Sequence, residues 1–202
     1  MAGSTGAAGN IAINADAVEV SGFNGIDGSG YRSEISSKGY GAGDAGNVSI
    51  SARVLTLADS GILSTSAKKG SSGNAGDILV AADRVSISGY HDTPGGRWVD
   101  SGIFSSAYGT GYAGGISLET GRFYLGAKGE INVESTGTGT AGDISITAAD
   151  SVELHGGSSI TAATADSDGA PSTSAPPTCS SSTTALSPPP SGAVPATAAT
   201  YT

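Results

Sequence analysis

A six-residue phrase recurs five times in this chain, and it constrains the fold more than any other feature. It reads Ala8-Gly9-Asn10-Ile11-Ala12-Ile13, Ala45-Gly46-Asn47-Val48-Ser49-Ile50 and Ala75-Gly76-Asp77-Ile78-Leu79-Val80. It returns as Ala113-Gly114-Gly115-Ile116-Ser117-Leu118 and Ala141-Gly142-Asp143-Ile144-Ser145-Ile146. The intervals are 37, 30, 38 and 28 residues. Repeats of this size are single structural units that cannot bury their apolar faces alone and must stack on copies of themselves.

Three apolar beats follow one another within each unit. The first alternates, as Ile11/Ile13, Val48/Ile50, Ile78/Val80, Ile116/Leu118 and Ile144/Ile146. The second alternates too, as Val18/Val20, Leu55/Leu57, Val85/Ile87, Phe123/Leu125 and Val152/Leu154. The third is a single residue, read as Ile35, Ile62, Ile103, Ile131 and Ile160. Period 2 belongs to a strand with one buried face, and no window carries a helical stripe. The expected fold is all-β: a right-handed parallel β-helix, a solenoid of about five three-stranded coils spanning residues 1–164. Its interior should be dry stacks of Ile, Val and Leu, rising about 4.8 Å per coil. Glycine clusters such as Gly39-Tyr40-Gly41 and Gly109-Thr110-Gly111 return at the repeat period and suit corners that need positive φ.

Composition changes after Thr164. Residues 165–202 hold seven of the eight prolines and no Lys or Arg, and are otherwise mainly Ser, Thr and Ala. Such a stretch buries too little apolar surface to order itself, so a disordered low-complexity tail is expected. A mucin-like glycosylated stalk and a segment translated out of frame are alternative readings. The net charge of −9 argues against nucleic-acid partners and anionic membrane surfaces, which require basic patches. One cysteine, Cys179, excludes a disulfide framework. No apolar run is long enough to insert in a membrane, and no signal peptide is read at the N-terminus.

The phrases resemble the repeats of filamentous-haemagglutinin-like exoproteins, the bacterial two-partner secretion adhesins. The resemblance rests on Gly73-Asn74-Ala75-Gly76-Asp77-Ile78 and its copies, Val85-Ser86-Ile87-Ser88-Gly89, Ser101-Gly102-Ile103-Phe104-Ser105-Ser106 and Ser151-Val152-Glu153-Leu154. It covers residues 6–164 and includes the order of the phrases. It implies a right-handed β-helix, export by an outer-membrane secretion partner, and adhesion or display at the cell surface or outside it. It implies no catalytic residues. Family members usually carry a signal peptide and a secretion module ahead of the repeats, so the chain reads as a fragment of the shaft. Uncapped end coils would expose strand edges and favour end-to-end self-association.

The link between the second and third beats varies. It is short in three coils and long in two, where it forms inserts at 21–34 and 88–102. Insertions in solenoids map to one face, often the binding face. The second insert carries Tyr90, Arg97 and Trp98, residue types suited to stacking on a glycan or gripping a cell-surface ligand. The plainer reading is that these side chains pack down and shield the wall.

Enzymatic and metal readings are weaker. Trp98-Val99-Asp100 is similar to a pectin-lyase segment, but Ser101 stands where that segment has a histidine. His91 and His155 occupy unrelated repeat positions. A polysaccharide-active β-helix is the alternative class; the expected chain is not an enzyme and has no catalytic residue, cofactor or metal. Asn10, Asn47, Asp77 and Asp143 share one repeat position, where calcium is conceivable. The expected role is instead to cap the backbone of their own turn. Asp16 and Asp83 share another corner, with Arg53 between them. Asn47-Val48-Ser49 matches a glycosylation sequon but begins a strand.

Overall fold

The computed structural model describes residues 5–25, 30–92 and 98–164, together with the backbone of 199–201. Repeat one supplies β1 (Ile11–Ser21), a hairpin of β2 (Phe23–Asn24) and β3 (Tyr31–Arg32), then β4 (Glu34–Gly39). Repeat two supplies β5 (Val48–Ala58) and β6 (Ile62–Ala67). Repeat three has β7 (Ile78–Ser88), a hairpin of β8 (Tyr90–Asp92) and β9 (Trp98–Asp100), and β10 (Gly102–Ala107). Repeats four and five contribute β11 (Ile116–Gly126) with β12 (Glu130–Ser135), and β13 (Ile144–Leu154) with β14 (Ser159–Thr164). Among the described residues there is no helix.

The strands form two large sheets in which every neighbour from repeat to repeat is parallel. One runs β1-β5-β7-β11-β13 and the other β4-β6-β10-β12-β14. Like pairs with like: Ile11, Val48, Ile78, Ile116 and Ile144 stand in one register row. Val18, Leu55, Val85, Phe123 and Val152 stand in another. These rows, with the inward residues of the second sheet, form a single apolar cluster. Of the expected tail, only 199–201 lies within the described residues; it forms β15 (Ala199–Tyr201), antiparallel to Ile146–Ala148 of β13.

Three expectations are corrected. First, each repeat has two main strands rather than three, because the first two beats lie on one continuous eleven-residue strand. The inward phase changes within it. In β5, Val48 and Ile50 point in, Arg53 and Val54 both face away from the core, and Leu55 and Leu57 point in again. An odd spacing of apolar beats bends the strand here while the ladder between repeats continues on both sides. The single-residue beat therefore builds the second sheet, not a third. Second, Leu63 and not Ile62 occupies the row with Ile35, Ile103, Ile131 and Ile160. Ile62 pairs with Gly102.

Third, the second sheet's inner side is not wholly apolar. Ser37, Thr65 and Ser105 point inward, two residues after Ile35, Leu63 and Ile103. The Ser37 hydroxyl donates to the Gly9 carbonyl (3.1 Å) and accepts from the Gly46 N–H (2.9 Å). Thr65 and Ser105 both donate to the Gly76 carbonyl (2.5 and 3.3 Å). A carbonyl turned toward a dry interior is costly unless bonded, and these hydroxyls satisfy it.

The recurring Ala-Gly step serves close approach rather than positive φ. Gly46, Gly76 and Gly114 each lie against the glycine one repeat earlier, and an added Cβ would overlap that residue's carbonyl oxygen. Gly43, Gly73, Gly111 and Gly139 form a second such column. Positive φ falls elsewhere: at Gly41 and Gly70 of the glycine clusters, at Gly22 and Gly89, and in the two-residue turns Asp59-Ser60, Ala127-Lys128 and Gly156-Gly157 that join the two strands in repeats two, four and five.

Two measurements check this packing. Ile78 is fully buried between Val48 and Ile116. Ile78→Asp places a carboxylate in a dry core, and we expect a loss of several kcal/mol in thermal or urea unfolding. Gly76→Ala should cost about 1–3 kcal/mol through backbone overlap. Gly9→Ala, where nothing stands within 4 Å of the added carbon, should be close to neutral. Equal effects at Gly9 and Gly76 would refute the close-approach account.

Candidate functional site

The two inserts replace the two-residue turn in repeats one and three. Each begins with a glycine at positive φ, Gly22 at 103° and Gly89 at 91°, and turns the chain outward into an antiparallel hairpin. Repeat two lies between them with its short turn Asp59-Ser60. The inserts lean together across it, and the Phe23 and His91 rings stack at 4.6 Å between centroids. Ser60 is left wholly buried beneath. Its N–H donates to Ser101 Oγ (2.9 Å) and its hydroxyl to the Val99 carbonyl (2.5 Å).

On the far side of the second hairpin, Tyr90 meets Trp98 edge to face at 6.4 Å. Lys128, from the turn of repeat four, places its ammonium over the Trp98 ring and 4.8 Å from the Tyr90 centroid. A cation over an aromatic face is attracted by the ring quadrupole and orders both groups. Trp98 nevertheless remains 57% exposed and Tyr90 40%. Tyr90 and Trp98 are thus brought together, whereas Arg97 lies outside the described residues. The covering role and the exposed aromatic surface coexist: Phe23 and His91 close the gap over repeat two, and Trp98 faces outward.

Lys128 was not legible as part of this patch, since it belongs to a different repeat. Its position in the turn that follows Leu125 is the signal that could have found it. Arg32, on β3, likewise reaches a later repeat and lies 5.9 Å from the centre of the Phe104 ring.

Asp100 ends β9 with one carboxylate oxygen buried and without a hydrogen-bond partner among the described residues. Burial pushes its carboxyl above the ordinary range, with Lys128 and Arg32 acting in the opposite direction. Burial also raises Glu130, and the nearby Asp100 and Glu134 charges add to the effect.

The Asn and Asp residues of the recurring phrase do not cap their own turns. Asn10, Asn47 and Asp77 each serve the next repeat. Asn10 Oδ1 accepts from the Asn47 N–H, Asn47 Oδ1 from the Asp77 N–H, and Asp77 Oδ1 from the Gly115 N–H, each at 2.8 Å. A parallel ladder three residues earlier links Asp44 to Asn74 (2.7 Å) and Asn74 to Tyr112 (2.9 Å). The expectation fails because parallel stacking puts the next repeat's N–H directly beside the side-chain oxygen. At the other corner Arg53 makes two bonds to Asp16 (2.9 and 3.0 Å), so the carboxylates there do not converge. Among the described residues no group of three or more His, Cys, Asp or Glu side chains is placed to hold a metal ion. Among them, too, no helix is long and apolar enough to cross a membrane.

Compared with family models, curated proteins and solved structures, the chain finds no match.

The Asp100 geometry gives a pH prediction. A carboxyl raised in the fold holds its proton more tightly there than in the unfolded chain. Its contribution is therefore fully present below the ordinary value of 3.8 and is lost as pH rises through the raised value. Asp100→Asn should raise Tm at neutral pH, with the gain shrinking as pH falls below that range. A variant less stable than wild type at neutral pH would show that the charge is compensated.

Proposed function

We propose that this chain is a stretch of the repeat shaft of a secreted or surface-displayed bacterial adhesin. In this reading its two parallel sheets are walls of a right-handed parallel β-helix of the filamentous-haemagglutinin type, exported by an outer-membrane secretion partner. The shaft itself has no catalytic role. It holds recognition inserts at fixed heights, and the ligand is a glycan or a cell-surface protein that meets the insert spanning 88–102.

One observation carries this reading. Five repeats keep register through both sheets but for one shift between β11 and β13, and the larger departures, the inserts of repeats one and three, come together on one side with Trp98 exposed. A regular wall of Ser, Thr and Gly offers little binding energy per residue, while Trp and Arg dominate contacts wherever they are presented. The Lys128 ammonium holds the Tyr90–Trp98 pair in place, so less side-chain freedom is lost on binding.

The test is a glycan array and a cell-adhesion assay on the whole chain and on the double variant Arg97→Ala/Trp98→Ala. Binding by the wild type should be lost in the variant while its unfolding curve is unchanged. Equal binding by both would place recognition away from this insert.

A further inference from the structure

The outer face of the second sheet contains a groove that neither the repeat pattern nor the inserts account for. Its cause is a difference in side-chain length between neighbouring strands. On the two middle strands the outward positions include Ser64, Ser66 and Ser106, beside the larger Ile62 and Phe104. On the flanking strands they hold Glu34 and Lys38 on one side, and Asn132 and Glu134 on the other. In the row of Lys38, Ser66, Ser106 and Glu134, short residues between long ones leave a depression of about 340 Å³, bordered by Phe104. It runs across β4, β6, β10 and β12, roughly 14 Å at the usual strand spacing.

Two aromatic rings line it. Phe104 lies in the row of Ser64 and Asn132, with Arg32 over its face. Tyr108 follows β10, 38% exposed, and its hydroxyl donates to Glu134 Oε1 at 2.8 Å. That bond fixes the ring, and the Lys68 ammonium lies 5.8 Å from its centre. Ser66 is only 5% exposed, yet its hydroxyl has no partner among the described residues; the Asn132 carbonyl oxygen has none either. Burial also raises the Tyr108 phenol and lowers the Lys68 ammonium, consistent with partly dehydrated walls.

We propose that this groove binds a neutral oligosaccharide laid across the second sheet. Its hydroxyls would bond the Glu134 carboxylate and the Lys68 ammonium, and one sugar face would rest on Tyr108. Sugar hydroxyls both donate and accept, and the groove supplies donors and acceptors side by side. Its cations Arg32, Lys38 and Lys68 are nearly offset by Glu34 and Glu134, and Lys38 is already paired with Glu34. On a chain of net charge −9, that balance does not select a polyanion. The groove lies on a sheet face, so an extended peptide could not add to it as a strand through main-chain bonds. This site is separate from the insert carrying Trp98 and does not rest on the adhesin reading.

The whole chain is titrated with cello-, manno-, xylo- and chitohexaose, and with hexagalacturonate as the charged member, by calorimetry and NMR. Wild type, Tyr108→Ala, Tyr108→Phe and Trp98→Ala are compared, with unfolding curves recorded for each. We expect at least one neutral hexasaccharide to bind. Its affinity should fall about tenfold or more in Tyr108→Ala, fall less in Tyr108→Phe, and stay unchanged in Trp98→Ala. Three results would overturn the proposal: no binding by any neutral sugar, binding confined to hexagalacturonate, or equal binding by wild type and Tyr108→Ala. Loss in Trp98→Ala with retention in Tyr108→Ala would also overturn it and would favour recognition at the insert.

Discussion

The close contact of backbone on backbone at the two glycine columns sets the conditions for everything else in this chain. With no Cβ at Gly46, Gly76 or Gly114, the turn of one repeat settles onto the turn before it. That contact brings the peptide groups within bonding distance. Ile11 N–H then reaches the Asn47 carbonyl, and Val48 N–H the Asp77 carbonyl, at 2.8 and 2.9 Å. The Asn and Asp ladders run alongside, so the same few residues carry both a main-chain and a side-chain link to the next repeat. Parallel strands pair slightly less favourably per residue than antiparallel ones and are usually covered on both faces. Here register is held at the corners by the polar ladders and glycine columns, as well as by the Ile and Val rows of the core.

Fixed register has a functional consequence. Because the repeats stack like on like, side chains far apart in sequence are brought to fixed neighbouring positions. Phe23 meets His91, Arg32 meets Phe104, and Lys128 meets Trp98, although the two members of each pair come from different repeats. Surfaces on such a scaffold are composed across repeats rather than within them.

This also explains what the sequence did and did not disclose. The first two apolar beats identified the register rows of the first sheet, because Ile, Val and Leu mark an inward position plainly. The third beat went astray at Ile62, where two adjacent apolar residues both fitted. Spacing favoured Leu63: it follows Leu57 by six residues, as Ile131 follows Leu125 and Ile160 follows Leu154. Ser37, Thr65 and Ser105 could not be recognised as inward by polarity, since their role is to satisfy glycine carbonyls that only the fold turns inward. The aromatic insert was visible from Tyr90 and Trp98. The groove was not, because it arises from serines on two strands beside longer side chains on their neighbours, a relation that exists only after stacking. Phe104 was the one hint, set outward by alternation from Ile103.

The arrangement of inserts has a bearing on how such a chain can change in length. The recurring phrase begins at Ala8, Ala75 and Ala141 when every second copy is taken, giving blocks of nearly equal size. In the first two blocks a repeat with a hairpin is followed by one with a short turn. The hairpins arch over that turn and enclose Ser60, which supports both Val99 and Ser101 from below. Loss of a single repeat would set the two hairpins on adjacent strands, about 4.8 Å apart, with no turn to span. Gain of one would pull Phe23 and His91 out of reach. The arch therefore couples neighbouring repeats into pairs, and growth or shrinkage by whole pairs is the change that leaves it intact.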